Sequence, residues 1–313
     1  MSAVVVRWTV TPEDAELRLD SFLAARLSSV SRRAIRECIR RGHVLVNGRP
    51  RKKGEPVSPG DTVTVSAPQA LGANEHVPVG IVYADDALVV VDKPAGVPSV
   101  AQRHAETETV ANFLAASFPD TVRASPRPLE AGLVHRLDTA TSGLLVAART
   151  PAAYAGVRHQ FHVHAVDKRY VALVAGHFAF TGRAAFFLAP TGRRGQRMRI
   201  VADGKGQRAI STYTPLELLP QHTLLEATIL TGVRHQIRAH LAGVGHPVVG
   251  DPLYEGAEPA PRLCLHAHVL AFVHPMTGRP LSFASPLPQD VLALIADRRE
   301  REGLPQPRRE YVR

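Results

Sequence analysis

The words in this chain that could carry chemistry are polar groups set inside otherwise apolar, strand-like sequence. Leu133-Val134-His135-Arg136-Leu137-Asp138 leads into Thr141-Ser142-Gly143-Leu144-Leu145-Val146, so a carboxylate stands between a strand-like run and a Ser-Gly turn. A loop tip can present Asp138 to a substrate there, and the adjacent Arg136 cation favours its anionic form. Spacing alone leaves an ordinary loop Asp–Arg pair equally open. In the second word, Asp167-Lys168-Arg169-Tyr170-Val171-Ala172-Leu173-Val174, strand geometry puts Lys168 and Tyr170 on one face and Arg169 on the other. The third, Thr231-Gly232-Val233-Arg234-His235-Gln236-Ile237-Arg238-Ala239-His240-Leu241, leads to GHPVVGDPLY. At helical spacing Arg234 and Arg238 form an i, i+4 pair able to face a phosphate or carboxylate. There is no Walker loop, GxSxG elbow, HExxH or strand-following GxGxxG, so chemistry without a cofactor is expected. The 15 histidines include His159, His162 and His164 close together, and His266 and His268. None has a cysteine or acid at ligand spacing, so no metal is expected.

Around these words lie strand-like runs at GIVYAD, ALVVVD, GLLVAA, RYVALV, TLLEATIL and LCLHAHVLAFV. Between them fall helical stretches near ETVANFLAASF, AAYAGVRHQFH and HQIRAHLAGV, a spacing that suggests a mixed α/β or α+β domain with one large sheet. A terminal helix, DVLALIADRRER, and a polar tail follow.

The first part of the chain is different. Of the 38 basic and 28 acidic residues behind the net charge of +10, twelve and seven lie in residues 1–66. Within residues 32–53, Arg32, Arg33, Arg36, Arg40, Arg41, Arg49, Arg51, Lys52 and Lys53 stand against Glu37 alone, a composition suited to a polyanionic partner. Ser31 is placed to cap a helix, Ile35 and Ile39 share its apolar face, and Gly42 ends it. HVLV, the Asn47-Gly48 turn, RPRKK, the Ser58-Pro59-Gly60-Asp61 turn and TVTVS then read as short strands joined by tight turns, after a first helix at LRLDSFLAARL. From Ala67 to Val79 the Pro, Gly, Ala and Asn content marks a linker. Cys38 and Cys264 form no disulfide framework, and neither a signal peptide nor an apolar run of membrane-spanning length is present. A reducing, cytoplasmic setting is expected, with a monomer as the default.

The N-terminal words RLDSFLA, SRRAIRECIRRGHVLVNG and PGDTVTV resemble the small RNA-binding module named after ribosomal protein S-four. VVVDKPAGV, HRLDTATSGLL, KRYVALV, TGVRHQIRAHL and LCLHAHVLAFVHP, in that order, resemble the successive motifs of the RluA-type pseudouridine synthases. The resemblance implies an α+β chain, with a small α/β RNA-binding module followed by a catalytic domain built on a mixed, mainly antiparallel sheet. The corresponding divisions are residues 1–66, a linker at 67–79, the catalytic domain at 80–292, and a helix end with a polar tail at 293–313. It further implies isomerisation of uridine to pseudouridine in RNA by base flipping, without cofactor. Asp138 matches the essential carboxylate, Tyr170 the tyrosine against the uracil ring, and Arg238 the arginine that pairs with the carboxylate. Arg136 matches the residue that fills the place of the flipped base. Lys168 matches a supporting position, and Arg234, next to Val233, is expected to compensate as a substrate contact for the Arg that the family often has at Val233. Two departures remove positive charge: Thr139 stands where a basic residue is frequent, and Val233 where the family often has Arg. Large-subunit ribosomal RNA is the expected target and transfer RNA the second. The rivals are a glycoside-type hydrolase, which would need a second carboxylate beside Asp138, and an RNA-binding ribosome-assembly protein with a retired site.

Overall fold

The computed structural model describes residues 5–27, 30, 32–40, 42–66, 71–101, 106–254 and 258–301. The chain divides into two compact units, Met1–Ala70 and Leu71–Arg313. Among the described residues no helix is long and apolar enough to cross a membrane.

The smaller unit contains β1 (Val5–Thr9), α1 (Leu19–Arg26), α2 (Arg32–Arg40), β2 (Val44–Val46), β3 (Arg49–Pro50) and β4 (Thr62–Ser66), with the strands ordered β1-β4-β2-β3. Ile35 and Ile39 of α2 are buried with Leu19, Phe22 and Leu23 of α1 and with Val44, Val46 and Val63 of the sheet. The opposite side of α2 exposes Arg32, Arg33, Arg36 and Arg40, and Arg49, Arg51, Lys52 and Lys53 are exposed beyond the helix. Arg36, Arg40 and Arg51 pair with Asp20, Glu37 and Glu55 respectively. Arg41 and the Ser31 cap lie outside the described residues. Asn47 and Gly48 take φ of 51° and 76°, the left-handed values that a two-residue hairpin requires. Gly42, at φ 77°, ends α2 as its position suggests.

In the larger unit a ten-stranded sheet is built from β5 (Gly80–Ala84), β6 (Leu88–Lys93), β7 (Ser142–Ala148), β8 (Asp167–Ala175), β9 (Gly182–Thr191), β10 (Arg197–Val201), β11 (Gln207–Leu218), β12 (His222–Ile229), β13 (Leu265–Val273) and β14 (Pro280–Ala284). The order is β10-β9-β11-β12-β8-β13-β7-β6-β5, with β14 also on β13. The helices are α3 (Val110–Ser117), α4 (Thr121–Ala124), α5 (Pro151–His162), α6 (Gln236–Gly243) and α7 (Gln289–Arg301). Every pairing is antiparallel except β13 with β7. The sheet is therefore mixed and mainly antiparallel.

Continuous apolar runs form the central strands: β7 and most of β6 are buried throughout, as strands covered on both faces must be. β7 and β13 approach unusually closely. A Cβ on Gly143 would lie 2.3 Å from the Ala267 carbonyl oxygen, and Gly143 sits at φ 115°, so the TSG word must have glycine there.

Two boundaries move. Leu71, Val77 and Val79 are buried in the core of the larger unit, so the second part of the stretch read as a linker belongs to that unit. Residues 67–70 lie outside the described residues. At the other end α7 continues past 292 to Arg301, with Ile295 buried and Arg298 and Arg299 paired to Glu258 and Glu217. It is a packed part of the unit, and residues 302–313 lie outside the described residues. The strands β9, β10 and β11 have no counterpart among the strand-like runs read from sequence. One of their faces is open to water, so hydrophobicity alone marks them weakly.

Candidate active site

Asp138 lies in the loop between the 3-10 turn Pro128–Glu130 and β7. That loop is held from the backbone by the segment after β6. Lys93 Nζ donates to the carbonyls of Pro94, Val97 and Thr139, at 2.9, 2.8 and 3.1 Å. Gly96 N–H donates to the same Thr139 carbonyl at 2.8 Å. Ser99 Oγ accepts from Leu137 N–H at 3.0 Å and donates to Leu137 O at 2.9 Å. The DKPAGVPS word is thus a clamp on both sides of Asp138. Burial pushes the Lys93 ammonium down to about 7, and its three carbonyl partners match the three donors of the charged form.

His135 anchors the other end of the loop. Its Nε2 accepts from Val146 N–H at 3.2 Å, and its ring stacks on Phe161 with centroids 4.8 Å apart. An acceptor Nε2 requires a neutral ring. Burial pushes this imidazole down to about 3, with the Lys168 and Arg158 charges acting in the same sense. Between the ordinary 6.5 and about 3 the unfolded chain holds a proton that the folded chain does not, so stability must fall as pH drops through that window. His240 and His266, both pushed down to about 4 chiefly by burial, add to the effect. The thermal midpoint should decrease steadily from about pH 7 to about pH 5. In His135→Gln, whose side-chain oxygen can still accept from Val146, the decrease should be smaller; an identical profile in the variant would exclude His135 as a source.

The partner of Asp138 is Arg238, from α6. Arg238 Nη1 donates to Asp138 Oδ2 at 2.8 Å. Its Nε and Nη2 donate to Asp251 Oδ2 and Oδ1 at 2.7 and 2.8 Å, a two-pronged bond that fixes the guanidinium plane. The Asp251 side chain is 0% exposed and that of Arg238 3%, whereas Asp138 keeps 24%. One carboxylate therefore orients the arginine and the other faces outward. Burial alone would lower the Arg238 pKa, but the two carboxylates outweigh it and raise it. Tyr254 lies beneath, 5.4 Å from the guanidinium carbon to the ring centre.

His235 Nε2 stands 3.8 Å from Asp138 Oδ2, and its Nδ1 is 3.3 Å from the Tyr254 hydroxyl. Tyr170 is 7% exposed; burial first, and the Asp138 charge second, raise its pKa. The site thus gathers Asp138, Arg238 and Tyr170, as the sequence words imply, and adds Asp251, His235, Tyr254 and Lys93. The signal for Asp251 was its place in GDPLY just after the Arg238 word, but nothing in spacing tied it to Asp138.

Three expected arrangements differ. Arg136 does not pair with Asp138; it is exposed and has no hydrogen bond or ion pair with another described residue. Arg234 does not share a helical face with Arg238, because α6 starts only at Gln236 after a left-handed His235 at φ 54°. It donates instead to the Gly195 and Arg197 carbonyls, bracing the β9–β10 turn. Lys168 is buried, with Nζ 3.4 Å from the Leu230 carbonyl and 5.4 Å from the Phe161 ring centre, so it is not free to meet a substrate in the solvent. Burial pushes it down to about 8.

A small helix-and-hairpin unit rich in exposed arginine is carried on the same chain as a large sheet whose buried arginine braces one partly exposed carboxylate, a combination that suits the class of enzymes acting on polyanions. Comparison with known proteins makes the class specific. The family described as RNA pseudouridylate synthase matches residues 87–243, and the S4 domain matches residues 17–63. The chain is 34% identical over 303 residues to "Ribosomal large subunit pseudouridine synthase D" of Zymomonas mobilis, covering 92% of this chain and 95% of that one. It is 36% identical over 308 residues to "Uncharacterized RNA pseudouridine synthase YlyB" of Bacillus subtilis, covering 93% and 97%. Among solved structures it resembles "Human RNA Pseudouridylate Synthase Domain Containing 1", with TM-score 0.53 and 25% identity over 74% of this chain and 98% of that chain. The chain belongs to the RNA pseudouridylate synthase family and carries an S4 domain at its N-terminus. It is an isomerase that acts on RNA.

Proposed function

We propose that this protein converts specific uridines of large-subunit ribosomal RNA to pseudouridine, with Asp138 as the essential catalytic carboxylate. The observation that carries the reading is the buried Arg238, held by Asp251 and aimed at a partly exposed Asp138. Isomerisation breaks the bond from the ribose C1′ to N1 of the base and forms one from C1′ to C5. A proton leaves C5 and one is gained at N1, so the products balance without water or an external group.

The target uridine must leave its stack, at a cost of a few kcal/mol that binding contacts offset. Arg136, exposed and unpaired at the edge of the site, suits the role of filling the vacated place. Arg238 pairs with Asp138 and fixes it in direction. Tyr170, beside Asp138 and held in its phenol form, suits packing on the uracil ring and assisting removal of the C5 proton. Lys168 and Arg234 act indirectly, Lys168 behind the site and Arg234 on the β9–β10 turn. Arg32, Arg33, Arg49, Lys52 and Lys53, with the paired Arg36, Arg40 and Arg51, serve as the phosphate-binding surface of the N-terminal unit. The names of relatives such as the Zymomonas protein support ribosomal RNA as substrate.

Mapping pseudouridines in total RNA from cells with and without the protein tests the reading. One or more large-subunit sites should revert to uridine and return on complementation. Loss confined to transfer RNA would redirect the substrate, and an unchanged map would refute the proposal.

A further inference from the structure

Over β9, β10 and the first half of β11 the face of the large sheet turned away from α6 is largely exposed. Residues paired across strands share a face, so Tyr170, Ala227, Tyr213 and Gly182 form one row. That row is on the side of α6, whose Gln236 bonds Ser211 and whose Ala239 packs on Leu188, Met198 and Ala209. One residue along, the row Arg169, Thr228, Thr212 and Arg183 faces the other way. Arg208, paired with Phe187, and Arg199, paired with Ala189, belong to this second face.

Arg183, Arg199, Arg208, Thr212 and Thr214 are all exposed, so most of this part of the sheet is uncovered, while Ile210, between Arg208 and Thr212 on the same face, is buried beside the cavity described below. None of the three arginines makes an ion pair or side-chain hydrogen bond with another described residue. The acids nearby are few: Glu226 is half-buried, Asp167 is engaged by Arg169, and Asp203 shares its turn with exposed Lys205. Measured along β9, the arginine levels at 183, 187 and 189 span about 20 Å, the reach of several nucleotides. At the Arg183 end lies a cavity of about 370 Å³, walled by Thr212, Thr228, Leu230 and Asp167 among others. Hydroxyls and apolar side chains in one concavity of this size suit a flat heterocycle. Phe187, half-buried between Arg208 and Val201 on its neighbouring strands, adds an aromatic ring to the basic face.

We infer that this face binds single-stranded RNA, with Arg183, Arg199 and Arg208 on phosphates and one unstacked base in the cavity beside Arg183. Arginine interleaved with an aromatic ring on an open sheet is a platform of the kind that holds unpaired RNA. The substrate then touches both faces of the catalytic sheet, which a large folded RNA can do and a short hairpin cannot. The inference rests on RNA being the substrate and on no particular target uridine.

The test uses the full-length chain carrying R183A, R199A and R208A together. All three side chains are exposed, so the thermal midpoint should hold. Binding to a 16-nucleotide oligouridylate, measured from about 50 to about 200 mM salt, should show a dependence on salt shallower by about 2 in log–log slope, at roughly 0.7 per lost phosphate contact. With ribosomal RNA from cells lacking the protein as substrate, KM should rise about tenfold at unchanged kcat. Thr212→Trp, which fills the cavity, should weaken oligouridylate binding without changing the slope. Unchanged slope and KM in the triple variant would overturn the inference, as would a fall in kcat alone. Loss of a co-purifying ribosomal protein with RNA binding intact would also overturn it, assigning the face to a protein partner. Unaltered affinity in Thr212→Trp would remove the base from the cavity. Asp138 is untouched in every variant, so failure here is distinct from failure of the catalytic proposal.

Discussion

Replacing Asp138 with alanine should abolish pseudouridine formation and leave RNA affinity within a few-fold of the parent. The loop that presents this residue is fastened through backbone groups of Leu137 and Thr139, not through the Asp138 side chain. Its removal exposes Arg238 on one side only, because Asp251 still occupies Nε and Nη2. The protein should therefore fold normally. Asp138→Asn is the sharper variant: it retains shape and one hydrogen-bond acceptor for Arg238 but loses the negative charge. Loss of a positioned group that transfers a proton costs about a hundred- to ten-thousandfold in rate. The measurement is chromatography of nucleosides after digestion of treated RNA, with free uracil quantified in parallel. If the Asp138→Asn variant retained a tenth of the parental rate, Asp138 would not be the essential group. Uracil release without pseudouridine from the parent enzyme would instead favour the hydrolase.

The second large effect is expected at Asp251. Its side chain is wholly buried and bonds both Arg238 and the Leu253 N–H, at 2.9 Å. Removing one member of a buried ion pair leaves an uncompensated charge and costs about 3–5 kcal/mol in stability. Asp251→Ala should show that loss in urea or thermal unfolding. At temperatures where the variant is still folded, kcat should also fall about a hundredfold, because Arg238 is free to turn and Asp138 loses its fixed direction. KM should change little. Combining Asp251→Ala with Arg238→Ala tests whether the two act as one unit: the double variant should be no slower than Arg238→Ala alone. Independent, additive losses in rate would reduce Asp251 to a packing role, and a raised KM with unchanged kcat would assign it to substrate binding.

The contrast between Asp251 and Asp138 shows where sequence reasoning stops. Asp138 was legible as a candidate because its setting is local, an acid at the tip of a loop between apolar runs followed by the Ser-Gly turn that starts β7, and the resemblance to a family singled it out. Arg238 was legible as its partner only through the resemblance to a family. From spacing alone Arg136 was the nearer cation, yet the loop turns it outward to solvent. Asp251 was out of reach, since the three-residue chain from Asp138 through Arg238 to Asp251 closes across 100 and 13 positions of sequence. Arg234 failed for a local reason. The left-handed His235 delays the helix, and a periodicity argument assumes that the helix has already begun.

The N-terminal unit was read more fully, because its apolar positions, its glycine stop and its Asn-Gly turn all agree within a few residues of one another. Local propensity and core pattern point the same way there. In the larger unit the buried strands declared themselves by continuous hydrophobic runs, while β9 to β11 did not, because one face is wet.

By itself, then, the sequence determined the two-part plan, the basic helix and hairpin, the central strands, and the loop position of Asp138, the carboxylate to which we assign the chemistry. These depend on periodicity and on neighbours within a turn or a loop. The tertiary structure alone decided which arginine faces Asp138 and which carboxylate holds that arginine. It also decided that Arg183, Arg199 and Arg208, close to one another in the chain and distributed over three strands, stand on the side of the sheet away from the site. Strand pairing and the pleat set that choice, and neither is a property of any single stretch of residues.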